Sequence, residues 1–97
     1  MYAVVVAVKA PAGKAETWIN SQSLADAFWA HAEKDDGLEH VRIACTAGRF
    51  SAVLFTCGED ETKAAASALA LCWRLLMVVP FLAGWSIDSC AVPAAAR

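Results

Sequence analysis

The chain predicts an α+β domain in which strands and helices alternate as β-α-β-β-α-β. Three observations carry that expectation. Short runs that are apolar throughout or alternate apolar with polar fall near residues 2–8, 40–46, 50–57 and 82–90, separated by stretches that carry Gly, Pro or charged residues. Two longer stretches carry apolar residues at helical spacing. The dipeptide Ala47-Gly48 sits between two of the strand-like runs, as a two-residue hairpin turn requires.

The first strand is Met1-Tyr-Ala-Val-Val-Val-Ala-Val8, apolar at odd and even positions alike. A strand of that kind is covered on both faces. Lys9-Ala-Pro-Ala-Gly13 ends it and opens a loop over residues 10–20. Ser21-Gln-Ser23 supplies capping hydroxyls for a first helix that runs to about Glu33. Leu24, Phe28 and Ala32 share its inner face, and Lys34-Asp-Asp-Gly37 stops it. His40 to Thr46 alternates: Val41, Ile43 and Cys45 face one way, and His40, Arg42 and Thr46 the other. Phe50 to Cys57 returns as a second two-sided apolar strand. Gly58-Glu-Asp-Glu-Thr62 brings acids to the start of a second helix, where the macrodipole favours them. That helix runs to about Val78, with Arg74 pointing outward and Trp73 at its flank, and Pro80 ends it. Phe81 to about Ala91 reads as the last strand, with Trp85 and Ile87 on one face and Ser86 and Asp88 on the other. One domain therefore fills residues 1–91, and residues 92–97 form a flexible C-terminal tail.

This order resembles the ferredoxin-like plait, an antiparallel four-stranded sheet ordered 4-1-3-2 with two helices on one face. The resemblance implies that the first and third strands are central. The two runs that are apolar on both faces fall there, and the two alternating runs fall at the edges. The plait hosts many unrelated functions, so it names none.

Composition bounds the function. Apolar residues make up 59% of the 97 residues, above the ~45–50% of ordinary soluble domains. The surplus means either a membrane segment or apolar surface that one small domain cannot hide. Residues 64–85 are long enough to cross a bilayer. Arg74 lies near their middle, however, and Pro80 and Gly84 interrupt the last third. A spanning helix would also strip the sheet of its second helix and fourth strand, so the expectation is a helix of a globular domain. Net charge is −2, with Lys and Arg scattered singly. This argues against a nucleic-acid partner, which needs a clustered basic patch. The four cysteines show no C-x-x-C and no histidine at zinc-ligand spacing. They read as reduced thiols in a cytoplasmic protein, with no metal and no cofactor.

Register turns these expectations into a surface. With Ala47-Gly48 as the turn, Thr46 pairs with Arg49, Cys45 with Phe50, Ile43 with Ala52 and Val41 with Leu54. On the other face Arg42 opposes Val53 and His40 opposes Phe55. Val53 and Phe55 then point from a central strand to the side the helices leave open, with a rim that includes His40, Arg42 and Asp88. An apolar patch of this kind marks an interface or a ligand site. The cheapest solution is a symmetric homodimer or a protein partner on that face. The competing arrangement folds the 10–20 loop, with Trp18 and Ile19, over the sheet as a lid.

Catalytic chemistry is weakly served. His40 has no carboxylate placed to orient it, because Asp88 lies across the sheet. Cys57 precedes the second helix, yet no histidine has reason to sit beside it. No phosphate-binding glycine loop or serine elbow is present. The expectation is a small non-catalytic binding or assembly module acting through its open sheet face. The alternatives are a cofactor-independent enzyme resembling dimeric α/β-barrel proteins and a regulatory domain binding a small metabolite.

Overall fold

The computed structural model describes residues 1–93. The tail expected over residues 92–97 lies outside them except for Val92 and Pro93, and Val92 packs against the core. The elements are β1 (Tyr2–Lys9), α1 (Ser21–His31), β2 (Leu38–Thr46), β3 (Arg49–Thr56), α2 (Glu61–Val78) and β4 (Ser86–Ala91). Short 3-10 turns at Lys34–Asp36 and Pro80–Leu82 precede β2 and β4. The fold is α+β: one antiparallel sheet ordered β2-β3-β1-β4 and two helices, compatible with the expected plait.

The two-sided strands are central because each must bury residues on both faces. Val4, Val6 and Val8 of β1 pair with Leu54, Ala52 and Phe50 of β3, and all six are buried on the helix side. Leu24 and Phe28 of α1 and Ala64, Ala68, Leu71, Cys72 and Leu75 of α2 complete the same cluster. Turn chemistry fixes the register. Gly48 takes φ +69°, and a Cβ there would lie 2.5 Å from the Ala15 carbonyl oxygen, so this position accepts only glycine without strain. The observed β2–β3 pairs are those the turn predicts, from Thr46↔Arg49 to His40↔Phe55.

Local chemistry sets the helix ends. Asn20, rather than Ser21 or Ser23, caps α1, its side chain accepting the Ser23 N–H at 3.0 Å. Asp60 caps α2 by accepting the Lys63 N–H at 2.8 Å. Gly37, at φ +64°, ends the 3-10 turn that follows α1 and not α1 itself. β4 begins at Ser86 and not near Phe81, because Pro80 opens a 3-10 turn that drops Leu82 fully into the core. Gly84, at φ +84°, then turns the chain into the strand.

Arg74, expected to point into solvent, does not. Its guanidinium donates to the His31 carbonyl at 2.9 Å and to the Asp36 carboxylate at 3.1 Å, with Glu33 at 3.7 Å. Asp36 is buried and also accepts the Glu33 N–H at 2.7 Å. One arginine thus ties the middle of α2 to the connection between α1 and β2. The one charge in the apolar stretch is there to satisfy a buried carboxylate and a helix-terminal carbonyl.

Each edge strand carries a β-bulge. In β2 the extra residue is Glu39, between the pairs Leu38↔Thr56 and His40↔Phe55. In β4 it is Asp88, between Ile87↔Val8 and Ser89↔Ala7. The second bulge breaks the simple alternation expected of β4: Ile87 and Cys90, three apart, both fall opposite helix-side residues of β1.

This packing sets two stability expectations. Arg74→Ala leaves Asp36 with a single backbone donor and should cost about 2–3 kcal/mol in denaturant unfolding; a loss under about 0.5 kcal/mol would contradict the tie. The Thr56 hydroxyl is buried without a hydrogen-bond partner. Thr56→Val should therefore raise stability by about 1 kcal/mol, read as a higher midpoint at unchanged m-value.

Candidate functional site

The open face of the sheet is built from the alternate positions of all four strands. β1 contributes Ala3, Val5, Ala7 and Lys9, and β3 contributes Phe55, Val53, Ser51 and Arg49 opposite them. β2 adds His40, Arg42, Ala44 and Thr46. β4 adds Ala91 and Ser89, paired with Val5 and Ala7. Val5, Ala7, Val53 and Phe55 are half-buried, while His40, Arg42, Ala44 and Thr46 are exposed. The middle of the face is thus apolar and its rim polar. A broad open hollow of about 570 Å³ lies over Val5, Arg42, Ala44, Ser51 and Val53.

The 10–20 loop does not cover this face. Its ends are held at the β2–β3 turn, where the Ala10 N–H donates to the Gly48 carbonyl at 2.8 Å and the Gly48 N–H donates to the Thr17 carbonyl at 2.7 Å. Pro11 packs beside Gly84. Thr17, Trp18 and Ile19 then line a hollow with Ser23 of α1 and Phe81, away from the sheet's open side. The loop closes one end of the sheet, and no described segment crosses the open face.

The five expected site residues fall into two groups. His40 stacks obliquely on Phe55, with ring centroids 5.6 Å apart, and Arg42 stands beside Val53. Asp88 is not with them. The β1–β4 register places it at the other end of the sheet, where it meets Arg49 at 3.1 Å and Lys9 at 3.7 Å. Those cations hold its carboxyl below the usual range, the Arg49 hydrogen bond first, then Arg49's charge and finally Lys9. His40 therefore has no orienting carboxylate, and Arg42 has no ion-pair partner among the described residues.

All four cysteines are free. Burial, and then the neighbouring Cys90, push Cys72 up to about 12. Burial likewise raises Cys45 and Cys90. Cys57 is exposed at the end of β3, but α2 starts at Glu61, so it does not sit at the helix N-terminus the sequence suggested. Among the described residues no three His, Cys, Asp or Glu side chains cluster as metal ligands would, and no helix is long and apolar enough to cross a membrane.

Sequence reasoning missed a second exposed surface. Apart from Met1 and Trp29, the large exposed apolar side chains belong to α2 and the connections near it: Trp18 (66% exposed), Trp73 (50%), Met77 (78%), Val78 (52%) and Phe81 (45%). The signal was readable, since Ala66, Ala70, Trp73 and Met77 recur at steps of 4, 3 and 4 residues. The stronger apolar pattern on the buried side of the same helix masked it.

No protein-family model matches this chain, and no curated protein matches it in sequence.

The ion cluster at Asp88 gives a pH prediction. A carboxyl held below its unfolded value stabilises the fold above the unfolded pKa and loses that contribution as pH falls through the folded one. The Tm gap between wild type and Asp88→Asn should be full near about pH 6, narrow below about pH 4 and close in stronger acid. A gap that persists undiminished into strong acid would exclude the ion cluster as its source.

Proposed function

We propose that the protein is a non-catalytic assembly module of ferredoxin-like plait type, in which two copies associate through their open sheet faces. The observation that supports this reading is the row Val5, Val53 and Phe55 on the two central strands, apolar on the side away from both helices and crossed by no described segment. A single sheet packed on one side ordinarily presents polar residues on the other. Hydrocarbon at the centre of that side is stabilised when another sheet docks on it. Charge does not oppose the docking strongly. Asp88 lies between Lys9 and Arg49, and the face's remaining Lys or Arg, Arg42, is exposed on an edge strand at the rim.

The scattered use of ionisable groups supports a non-catalytic role. Arg74 and Asp36 hold the fold, Asp88 neutralises the sheet's end, and His40 leans on Phe55 without a carboxylate behind it. A second reading is favoured by one feature, the hollow beside unpaired Arg42. Two sheets packed face to face would enclose it as a site for a small anionic ligand, as in dimeric α/β-barrel enzymes. A ligand-dependent rise in Tm would favour that reading.

Phe55→Asp places a charge at the middle of the sheet-to-sheet contact. It should reduce the mass in sedimentation velocity by at least half while far-UV circular dichroism stays unchanged. A wild-type mass above the monomer that does not move in this variant counts against association through this face.

A further inference from the structure

The outer side of α2 is the least expected surface of the molecule. At 100° per residue, Ala66, Ala70, Trp73 and Met77 fall within about 60° of one another. Ala64, Ala68, Leu71, Cys72 and Leu75, the buried residues of α2, centre on the opposite side. A helix on the surface of a globule normally carries polar residues there. Lys63 and Arg74 are engaged elsewhere: Lys63 bonds Glu59 at 2.7 Å, and Arg74 turns toward α1 and the 3-10 turn. No charged residue follows Arg74 until Asp88. Val78, the last residue of α2, and Phe81 beyond it are also exposed, and Phe81 shares a hollow with Trp18.

We infer that this stripe is a second self-association surface, on which α2 packs antiparallel against α2 of another copy around a two-fold axis. The order of side-chain sizes along the stripe selects that occupant. The stripe is small at one end and bulky at the other. An antiparallel pairing centred between Ala70 and Trp73 sets each Trp73 against the partner helix's small residue at position 70 and each Met77 against the one at position 66. Every bulky side chain then meets an alanine, which lets the helix backbones approach while the large residues fill the space beside them. A parallel pairing would stack Trp on Trp and leave alanine opposite alanine. Trp73 is 50% and Met77 78% exposed, and Trp and Met are enriched at the cores of protein interfaces. None of these residues carries a charge to desolvate. Because a two-fold contact uses the same patch on both copies, it closes on itself.

This inference goes beyond the sheet-face reading and does not depend on it. With both contacts present the full chain assembles beyond a dimer; with only this one it is a dimer. The test is charge exchange across the two-fold. Met77→Lys and Ala66→Glu should each raise the α2-mediated dissociation constant at least tenfold in sedimentation equilibrium. The double variant should recover to within a few fold, because the carboxylate introduced at position 66 of one copy then meets the ammonium introduced at position 77 of the other. About three helical turns separate the two positions, so they cannot pair within one helix. Performed on the Phe55→Asp chain, the experiment isolates this contact. If Phe55→Asp alone leaves the mass unchanged, the sheet reading fails and the α2 comparison still stands. Single variants that do not alter association, or a double variant that stays as dissociated as the singles, overturn the inference. So does a wild type that remains monomeric while its tryptophan emission shifts on phosphatidylcholine vesicles, which would make the stripe a lipid contact.

Discussion

The architecture depends on the β1–β3 pairing. Both strands carry apolar residues on both faces, and their register sets Val4, Val6 and Val8 against Leu54, Ala52 and Phe50 under the helices. Once that pairing exists, the remaining choices narrow. The helices must cover the even-numbered side, and the strands with one polar face must go to the edges. The odd-numbered side, with Val5 and Val53, faces away from both helices. The same requirement that makes the core makes the surplus, because a central strand in a two-layer domain has only one layer to bury against.

Much of this was legible because a few residues fixed it. Ala47-Gly48 set the hairpin register to the residue, and the close approach of Ala15 to Gly48 shows why that turn tolerates no side chain. The placement of the two-sided runs ordered the sheet. What the sequence hid were features decided by tertiary contacts. Pro80 signals the end of α2, but only the buried seat of Leu82 explains the 3-10 turn that delays β4. Nothing local marks Asp88 as the bulged residue; its ties to Arg49 and Lys9 come from other strands. Arg74 reads as a solvated charge on a helical wheel, yet Asp36 is buried and lies within its reach. The positions of His40, Arg42, Val53 and Phe55 on the open face were readable from register alone. Asp88's place across the sheet from His40 was readable too; its bulge and its ties to Lys9 and Arg49 were not.

Charge is used sparingly in this molecule, and mostly to resolve the costs of folding. The buried Asp36 carboxylate terminates a turn and needs a cation, which α2 supplies from the middle of an otherwise apolar run. The result is an interior poor in charge, an open face whose middle is apolar, and an uncharged outer stripe on α2. The proposed assembly role asks of this apolar area only complementary shape, whereas catalysis would ask for groups that change charge or share protons.

The two bulges carry a further meaning. A four-stranded sheet has two free edges, and each offers unpaired backbone groups on which a stray strand could grow. Here both edges are broken by an inserted acid, Glu39 on one side and Asp88 on the other. A kinked border that carries ionised side chains is a poor template for fibrous stacking. A chain this rich in exposed hydrocarbon can therefore be sticky across its broad surfaces and still resist runaway growth through its hydrogen-bonding margins.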